Sequence, residues 1–422
     1  MKNFISSFVL TYLRLLAHIQ LSKIRLLQKI KGKKLTIVGI TGSAGKSSTI
    51  NACESTLQDY LKVKTTAGSN SESGIPLNIL GIKVSSFTPV DWLKYCALAL
   101  RKLFANWESC DIYLVEMGID SPTEPKNMSY LLKIVHPDIG IFLNVNLTHS
   151  QEFEKTISSH LIGDQKTSKV IELIGAEKAK LVNSLPSTGY ALINTADPTV
   201  LKTTLTLRAK KIILKPVHLD FPHYAPPTDF DISISAAINL AKVFGVDEKT
   251  AITGLKQNLI LPPSRSSLFS GINDSTIIDS SYNSSPLATT AMLQVLSKHN
   301  SPRIAILGDM RELGDESPVA HQKLYQQAVK VANTIISVGP ETQKYFGDKS
   351  IKFLYWWQVG EYLLSHKELL KNATILVKGS QNTIYLEELV KQLLADKSDE
   401  SKLCRQSSYW LDLKTKFRSS NT

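Results

Sequence analysis

A glycine-rich stretch near residue 42 has the composition and spacing of a phosphate-binding loop. It joins a β-branched apolar run, residues 35–40, to a helical pattern over residues 50–60. A strand, a glycine loop and a helix in this order collect backbone N–H groups where phosphate binds. The strict pattern has glycine where this chain has Ile40, so the loop is a variant. A turn without a ligand is the alternative, but the Gly-Lys-Ser triplet favours a nucleotide. The predicted nucleotide-binding residues are Thr41, Gly42, Ser43, Ala44, Gly45, Lys46, Ser47 and Ser48.

Side chains suited to phosphate and metal binding lie in this loop and beyond it. We expect Lys46 to reach the β and γ phosphates and the Ser47 hydroxyl to bind magnesium. Glu116 ends the apolar run 112–115, and a carboxylate there needs a metal or a basic neighbour because buried carboxylates are rarely unpaired. An ordinary ion pair is its structural alternative. His149 follows the run 139–145 and by itself would be a surface or capping histidine.

The alternation of apolar runs and helical stretches predicts an α/β fold. We expect a central P-loop domain with a mostly parallel sheet over residues 34–262, ending at Pro262-Pro263, and a Rossmann-like doubly wound domain over residues 263–400. A helix over residues 1–33 and a tail over residues 401–422 complete the predicted organisation. In a doubly wound sheet, ligands bind beyond the carboxyl ends of the strands. This rule selects Asp309, Glu312, Lys378, Gly379 and Ser380 as candidate substrate contacts, with helix capping as the alternative for Asp309 and Ser380.

The composition is that of an ordinary globular protein with two or three domains. The 422 residues are 43% hydrophobic and 20% charged, which excludes collagen-like and wholly disordered chains. The cysteines are far apart and form no CxxC pair, so we expect neither a disulfide framework nor a zinc site, and we predict a cytoplasmic location. The net charge of +12 suits an anionic partner, but no aromatic-basic RNA-binding signature accompanies it, and we expect no nucleic acid partner.

The N-terminal segment, residues 4–30, has the apolar spacing of one amphipathic helix. Arg14 and His18 interrupt the apolar run well before the roughly 20 residues that a membrane span needs. A signal peptide is disfavoured because no small-residue cleavage site follows. Two interpretations stay open. The helix packs on the first domain, or its basic, apolar surface over residues 1–30 contacts the inner face of a membrane.

Several motifs resemble, in the same order, those of the Mur ligase family of ATP-dependent amide-bond ligases. The resemblance extends from about residue 33 to 394 and is greatest to the family members that add D-alanyl-D-alanine. The motifs that carry it are residues 39–48, 70–77, 115–118, 136–149, 262–265, 278–286, 308–314 and 377–380.

The resemblance implies a fold, a reaction and a set of site residues. ATP would phosphorylate a muramyl-peptide carboxylate, and the amine of D-alanyl-D-alanine would attack the acyl phosphate. Two magnesium ions would offset the negative charge, the first held by Ser47 and Glu116 and the second by His149 and Lys178. Lys46, Glu116, His149 and Lys178 would be catalytic. Arg265 and Asp279 would contact the nucleotide, and Asn70 and Glu72 the UDP-muramyl peptide.

The sequence also departs from the family pattern. Lys178 matches a lysine that the family carbamylates to make a metal ligand, but it lies 29 residues after His149, about twice the usual spacing, because residues 154–166 look like an insertion. Lys180 is the alternative choice. Residues 230–237 replace a His-Asn motif that helps to hold the nucleotide. Only about 33 residues precede the loop, too few for the domain with which these ligases usually bind UDP.

The sequence therefore predicts an ATP- and magnesium-dependent ligase that joins D-alanyl-D-alanine to a muramyl peptide, acting as a monomer. The same chemistry with another amino acid, including polyglutamate addition to a folate, is one alternative. A non-catalytic nucleotide-binding protein held at a membrane by its basic helix is the other.

Overall fold

The computed structural model describes residues 2–66, 69–84, 89–147, 150–157, 161, 163–311, 313–380 and 383–421, and it confirms the predicted α/β class. The chain folds into two compact units: unit 1 is Met1–His218 with Asp229–Ile260, and unit 2 is Leu219–Thr228 with Leu261–Thr422. The short segment of unit 2 that precedes Pro262 is held by the N–H of Ala225, which donates to the Ser266 carbonyl at 2.8 Å.

Unit 1 has, within its described residues, a parallel sheet of six strands in the order β2-β3-β1-β4-β5-β6. Its central strand β1 is almost wholly buried, which explains its continuous apolar sequence, since helices cover both faces of such sheets. The strands are β1 Thr36–Thr41, β2 Val63–Thr65, β3 Ile112–Glu116, β4 Ile139–Phe142, β5 Tyr190–Ile193 and β6 Lys210–Ile213.

The helices of unit 1 include the predicted N-terminal helix, which belongs to this unit and packs on α3 and α4. No helix in the described part of the chain has both the length and the apolar character needed to cross a membrane. The helices are α1 Lys2–Ile30, α2 Lys46–Leu57, α3 Gly74–Leu80, α4 Pro89–Ala105, α5 Met128–Leu132, α6 Gln151–Glu154, α7 Gly163–Asn183, α8 Pro198–Thr203, α9 Phe230–Val243 and α10 Glu248–Asn258.

Unit 2 contains a second sheet, whose described strands lie in the order β11-β10-β9-β12-β8-β7 and are parallel except for the β7–β8 pair. The strands are β7 Ser267–Ser270, β8 Thr276–Asp279, β9 Arg303–Gly308, β10 Thr334–Val338, β11 Ser350–Phe353 and β12 Thr374–Lys378. The helices are α11 Pro286–Ser297, α12 Ser317–Val331, α13 Pro340–Tyr345, α14 Trp356–Ser365, α15 Leu386–Leu393 and α16 Ser408–Ser419.

The tail packs against the rest of unit 2 through a cluster of buried opposite charges. Arg405 donates to both oxygens of Glu387 at 2.8 and 2.9 Å, and Lys414 lies 3.3 Å from the same carboxylate. All three side chains are at most 5% exposed. Because an unpaired buried charge is costly, these contacts fix residues 404–414 against α15.

Candidate active site

The loop predicted to bind phosphate connects β1 to α2, as the sequence pattern indicates. Gly45 precedes the first residue of α2 with φ of +83°, a left-handed conformation that glycine adopts without strain. The Thr41 hydroxyl donates to the Met117 carbonyl at 3.0 Å and joins the end of β1 to the end of β3. The loop therefore lies at the carboxyl edge of the sheet, beside its central strand.

Two lysine side chains converge on this loop. The ammonium groups of Lys46 and Lys178 both donate to the Gly42 carbonyl, at 2.9 and 3.1 Å. Burial lowers the pKa of Lys46, against the opposing charges of Glu116 and Asp120. Burial and the nearby Lys46 charge lower the pKa of Lys178 to about 7.

The alternative lysine lies elsewhere on α7. Lys180 pairs with Glu177 and donates to the Ser129 hydroxyl at 3.1 Å. Lys178 is 3% exposed and contacts the phosphate loop, whereas the Lys180 side chain is 44% exposed. Of the two candidates, the structure brings Lys178 to the loop.

Glu116 joins three segments at the end of β3. Its carboxylate accepts hydrogen bonds from the Ser47 hydroxyl at 2.7 Å and from the Asn70 amide at 3.2 Å. Its backbone N–H donates to the Thr66 hydroxyl at 3.0 Å. The side chain is almost fully buried, and its partners orient both oxygens. A carboxylate beside a hydroxyl offers the oxygen ligands that Mg²⁺ prefers.

Asn70 was predicted to bind substrate, and here it contacts Glu116. Glu72 lies in the turn that precedes α3 and is half-buried. Its charge contributes, after burial, to the raised pKa of the Tyr130 phenol. His149 lies outside the described residues. Among the residues that are described, no group of three or more His, Cys, Asp and Glu side chains is close enough to hold a metal.

Asn144 clasps the phosphate loop, a role that the sequence did not reveal. Its side chain accepts from the Ala44 N–H at 2.9 Å and donates to the Ala44 carbonyl at 3.1 Å. Its own carbonyl accepts from the Ser43 N–H at 3.0 Å. The signal was its position just after β4, since neighbouring parallel strands end at the same edge of the sheet.

A cavity of about 380 Å³ lies in unit 1 next to Asp120. Sequence reasoning did not select Asp120, although it follows Glu116 by only four residues. The Asp120 charge raises the pKa of both Lys46 and Lys178. The cavity is therefore close to the loop lysines. Its lining residues are Asp120, Leu147, Ser150, Gln151 and Glu152.

Helix α9 contains residues 230–237, which replace the His-Asn motif of the family, and it packs against α2. The Ser233 hydroxyl lies 2.8 Å from that of Thr49, which also donates to the Gly45 carbonyl at 2.8 Å. Ser48 is half-buried in the first turn of α2. The residues that replace the motif thus contact α2, the helix that begins at the phosphate loop.

In unit 2, Lys378 is buried at the end of β12. It donates to the Asn283 carbonyl at 2.8 Å and to the Ser280 hydroxyl at 3.3 Å. Burial, with the Arg265 charge, lowers its pKa to about 8 against the charge of Asp279. Asp279 is fully buried at the end of β8, and burial raises its pKa. Arg265 is exposed, and its guanidinium lies 4.7 Å from the centre of the Tyr282 ring.

Asp309 caps a helix in this structure. Its carboxylate accepts from the N–H groups of Glu341 and Thr342, at 3.2 and 2.7 Å, and from the Thr342 hydroxyl at 3.0 Å. These residues form the first turn of α13. Gly339 has φ of +114°, and a Cβ there would lie 2.6 Å from the Asp309 carboxylate, so the cap requires glycine. Burial raises the pKa of Asp309.

Ser380 supports the loop that follows Asp309. Its N–H donates to the Asp309 carbonyl at 3.0 Å, and its hydroxyl accepts from the Arg311 N–H at 2.9 Å. His321 is fully buried and accepts from the Met310 N–H at 3.0 Å. Gly379 lies against Gly308, where a Cβ would be 3.3 Å from the Gly308 Cα. Glu312 lies outside the described residues.

Two sequence models of known protein families match this chain. The model of the Mur ligase middle domain matches residues 40–218 in unit 1. The model described as Mur ligase, glutamate ligase domain, matches residues 264–381 in unit 2. Together the two matches span more than half of the chain.

Curated relatives and a solved structure agree with these matches. The UDP-N-acetylmuramoyl-tripeptide–D-alanyl-D-alanine ligase of Buchnera aphidicola subsp. Acyrthosiphon pisum (strain APS) is 25% identical over 402 residues, covering 87% of this chain and 78% of the relative. The protein of the same name from Escherichia coli (strain K12) is 23% identical over 399 residues, covering 85% and 76%. The MurF ligase from Thermotoga maritima in complex with ADP has the same fold, with a TM-score of 0.65 at 20% identity over 92% of this chain and 84% of that one. The two matched domains, their order and the shared fold show that this chain belongs to the Mur ligase family.

Proposed function

We propose that this chain is an ATP-dependent ligase that joins D-alanyl-D-alanine to a UDP-N-acetylmuramoyl tripeptide, a reaction of peptidoglycan precursor synthesis. The observation that carries the proposal is the similarity, across both units, to relatives named for this reaction. The phosphate loop with Lys46, Ser47 and Glu116 supports catalysis, because a protein with only a scaffolding role does not need a buried carboxylate beside a phosphate site.

The reaction has two steps: the first converts the acceptor carboxylate to an acyl phosphate, and the second converts the acyl phosphate to an amide. The carboxylate oxygen attacks the γ phosphorus of ATP, the bond to the β-phosphate oxygen breaks, and ADP leaves. The amine nitrogen then attacks the carbonyl carbon of the acyl phosphate and forms the amide bond, while inorganic phosphate departs and the nitrogen loses a proton. Phosphate transfer of this kind depends on positioning and on charge stabilisation.

The chain's own residues supply that stabilisation in unit 1. Lys46 offers a cation at the phosphate loop, and Gly42–Ser48 wrap the phosphates. The oxygens of Ser47 and Glu116 fit a magnesium ion, with His149 and Lys178 as proposed ligands of a second. When bound, magnesium offsets phosphate charge and polarises the phosphoryl oxygens.

Lys178 is proposed to be carbamylated. As an ammonium it repels both Lys46 and a divalent cation, and its pKa of about 7 leaves much of it neutral at cytoplasmic pH. A neutral amine adds to carbon dioxide and releases a proton, giving an anionic carbamate. That product would replace repulsion from Lys46 with attraction.

Further contacts are proposed from the family resemblance. Asn70 and Glu72 would contact the muramyl peptide, and Arg265 and Asp279 the nucleotide. At the carboxyl end of the unit 2 sheet, the residues proposed for the incoming amine are Asp309, Glu312, Lys378, Gly379 and Ser380. Asp309 and Ser380 would act there by shaping the loop 309–311, since their described hydrogen bonds hold it.

The test is a ligation assay on the purified chain with ATP, magnesium, a UDP-muramyl tripeptide and D-alanyl-D-alanine. We expect one phosphate per amide product identified by mass spectrometry. Lys46→Ala should abolish both signals, whereas Lys211→Ala, which changes an exposed lysine of β6, should leave them unchanged. Turnover with L-glutamate or a single D-amino acid in place of the dipeptide would overturn the amine assignment. Absence of turnover with every amine would overturn the ligase itself.

A further inference from the structure

Helix α1 is apolar on two faces, and its inner face packs against other helices of unit 1. Leu13 and Leu16 are buried with Leu77 and Leu80 of α3 and with Tyr95 of α4. This contact explains why the helix folds onto unit 1, because burial of such side chains is the main source of helix stability in proteins.

The outer face of α1 carries a second apolar stripe. Its members recur at intervals of seven and four residues, so they lie along one line of a helix with 3.6 residues per turn. Their side chains are between 46% and 74% exposed. The stripe consists of Phe8, Leu15, Ile19, Leu26 and Ile30.

Helix α4 continues this exposed surface. The two helices meet where the Tyr12 hydroxyl donates to the Cys96 carbonyl at 3.1 Å. Beyond the end of α4, the Lys23 ammonium lies 4.7 Å from the centre of the Trp107 ring. Five large apolar residues on the outward side of α4 and in the loop after it are between 49% and 74% exposed. They are Val90, Leu93, Leu100, Phe104 and Trp107. We call the two stripes together the outer face.

The charge around the outer face is mostly positive, although Glu108 follows Trp107 in the chain. Helices α1 and α4 contain eight basic residues and one acidic residue, Asp91. Arg25, Lys29, Lys94 and Arg101 are exposed. A protein partner complementary to this surface would need a dense acidic rim around an apolar centre. An anionic lipid leaflet presents that combination over its whole area.

We propose that the outer face docks this chain on an anionic membrane surface. Large exposed apolar patches are uncommon on monomeric proteins and mark interaction sites. Apolar residues, an exposed tryptophan and flanking Lys and Arg side chains are the features of helices that lie in the membrane interface. The contact is peripheral, with α1 and α4 lying along the surface and the inner face of α1 remaining packed in unit 1.

Vesicle flotation of the whole chain tests this proposal. We expect binding to phosphatidylcholine vesicles that contain about 30% phosphatidylglycerol, weaker binding to phosphatidylcholine alone, and release by about 0.5 M salt. The triple variant Leu15→Gln, Ile19→Gln and Leu26→Gln should bind anionic vesicles at least about tenfold more weakly, since three apolar side chains no longer enter the interface.

The matched control is the triple variant Leu201→Gln, Leu205→Gln and Ile213→Gln, which makes the same chemical change at exposed positions of unit 1. It should bind vesicles as the parent does. Both variants should keep the parent's phosphate release and unfolding midpoint, so failure of docking is distinguishable from failure of the ligase. Equal vesicle binding by the two variants would overturn the proposal. So would a parent chain that ignores vesicles but self-associates in light scattering through the outer face.

Discussion

Lys178 and Lys46 share the Gly42 carbonyl, and this contact predicts how ligase activity depends on pH and carbon dioxide. Because the two nitrogens lie 3.1 and 2.9 Å from one oxygen, they are at most about 6 Å apart. Two ammonium ions at that distance repel by about 3 kcal/mol at an effective dielectric constant of about 20. Burial is the larger cause, and together with this repulsion it lowers the pKa of Lys178 from 10.5 to about 7.

The direction in which folding stability changes with pH follows from whether the folded or the unfolded chain binds the Lys178 proton. Between about pH 7 and 10.5 the unfolded chain holds a proton on Lys178 that the folded chain does not, so stability rises with pH across this window. Across this whole pH window, the free energy of unfolding rises by at most about 5 kcal/mol. Below about pH 7 both states are protonated and this contribution is constant. Carbamate forms from the neutral amine, whose fraction falls about tenfold from pH 8 to pH 6.

The assay combines activity with a spectroscopic signal. With ¹³C-bicarbonate we expect a carbamate carbon resonance at pH 8 that weakens at pH 6 in parallel with phosphate release. Lys178→Arg should remove the resonance and lower turnover by about a hundredfold, a typical cost of losing one electrostatic contact at a transition state. Lys180→Arg is the matched control on the same helix and should keep both. A resonance that persists in Lys178→Arg, or full activity at pH 8 without any resonance, would refute the reasoning.

Three further changes test individual contacts. Ser47→Ala removes the hydroxyl that lies 2.7 Å from Glu116; it should raise the magnesium concentration for half-maximal phosphate release by about tenfold or more, and an unchanged value would contradict the metal assignment. Asn144→Ala removes two hydrogen bonds to the loop, worth about 1 kcal/mol each; nucleotide titration should show about 30-fold weaker binding, and unaltered affinity would refute the clasp. Arg405→Ala leaves Glu387 buried with one fewer partner; denaturant unfolding should show a loss of about 3 kcal/mol, and a loss below about 1 kcal/mol would mean that the tail is not fixed by this pair.

The elements that carry the phosphate site were predictable because their signals are local. A β-branched run, a glycine loop and a helical pattern are contiguous in residues 35–60, and the structure has β1 and α2 there. The position of Lys178 on the buried face of α7 could also have been predicted from the sequence. Val170, Ile174 and Lys178 recur every four residues and lie on the buried face of α7, a helical spacing that separates Lys178 from Lys180 without knowledge of the insertion.

Other features depend on contacts between distant segments. Asp309 follows β9, and the helix that it caps follows β10. The sequence alone could not distinguish a helix cap from a substrate contact, because only the folded structure shows how closely Gly339 approaches Asp309. Strand β11 ends at Phe353, although the apolar sequence continues to Tyr355, because the N–H groups of Leu354 and Tyr355 donate to the side chain of Gln358 of α14. The predictions for His149 and Glu312 concern positions outside the described residues and stay predictions.

Glu116 shows how the site can be ready for a cation before one binds. Its carboxylate already accepts from Ser47 and Asn70, and its charge acts on Lys46, so burial does not leave it without partners. If Ser47 and Glu116 held a magnesium ion, the Ser47 hydroxyl would turn its proton away from Glu116 and present its oxygen, a change that rotation about its Cβ–Oγ bond supplies without movement of the backbone. Asn70 can hold the other carboxylate oxygen during this exchange. If the proposed roles of Asn70 and Glu116 hold, the segment predicted to bind substrate would orient the proposed metal ligand, and occupation of the peptide site would be coupled to the geometry at the phosphates.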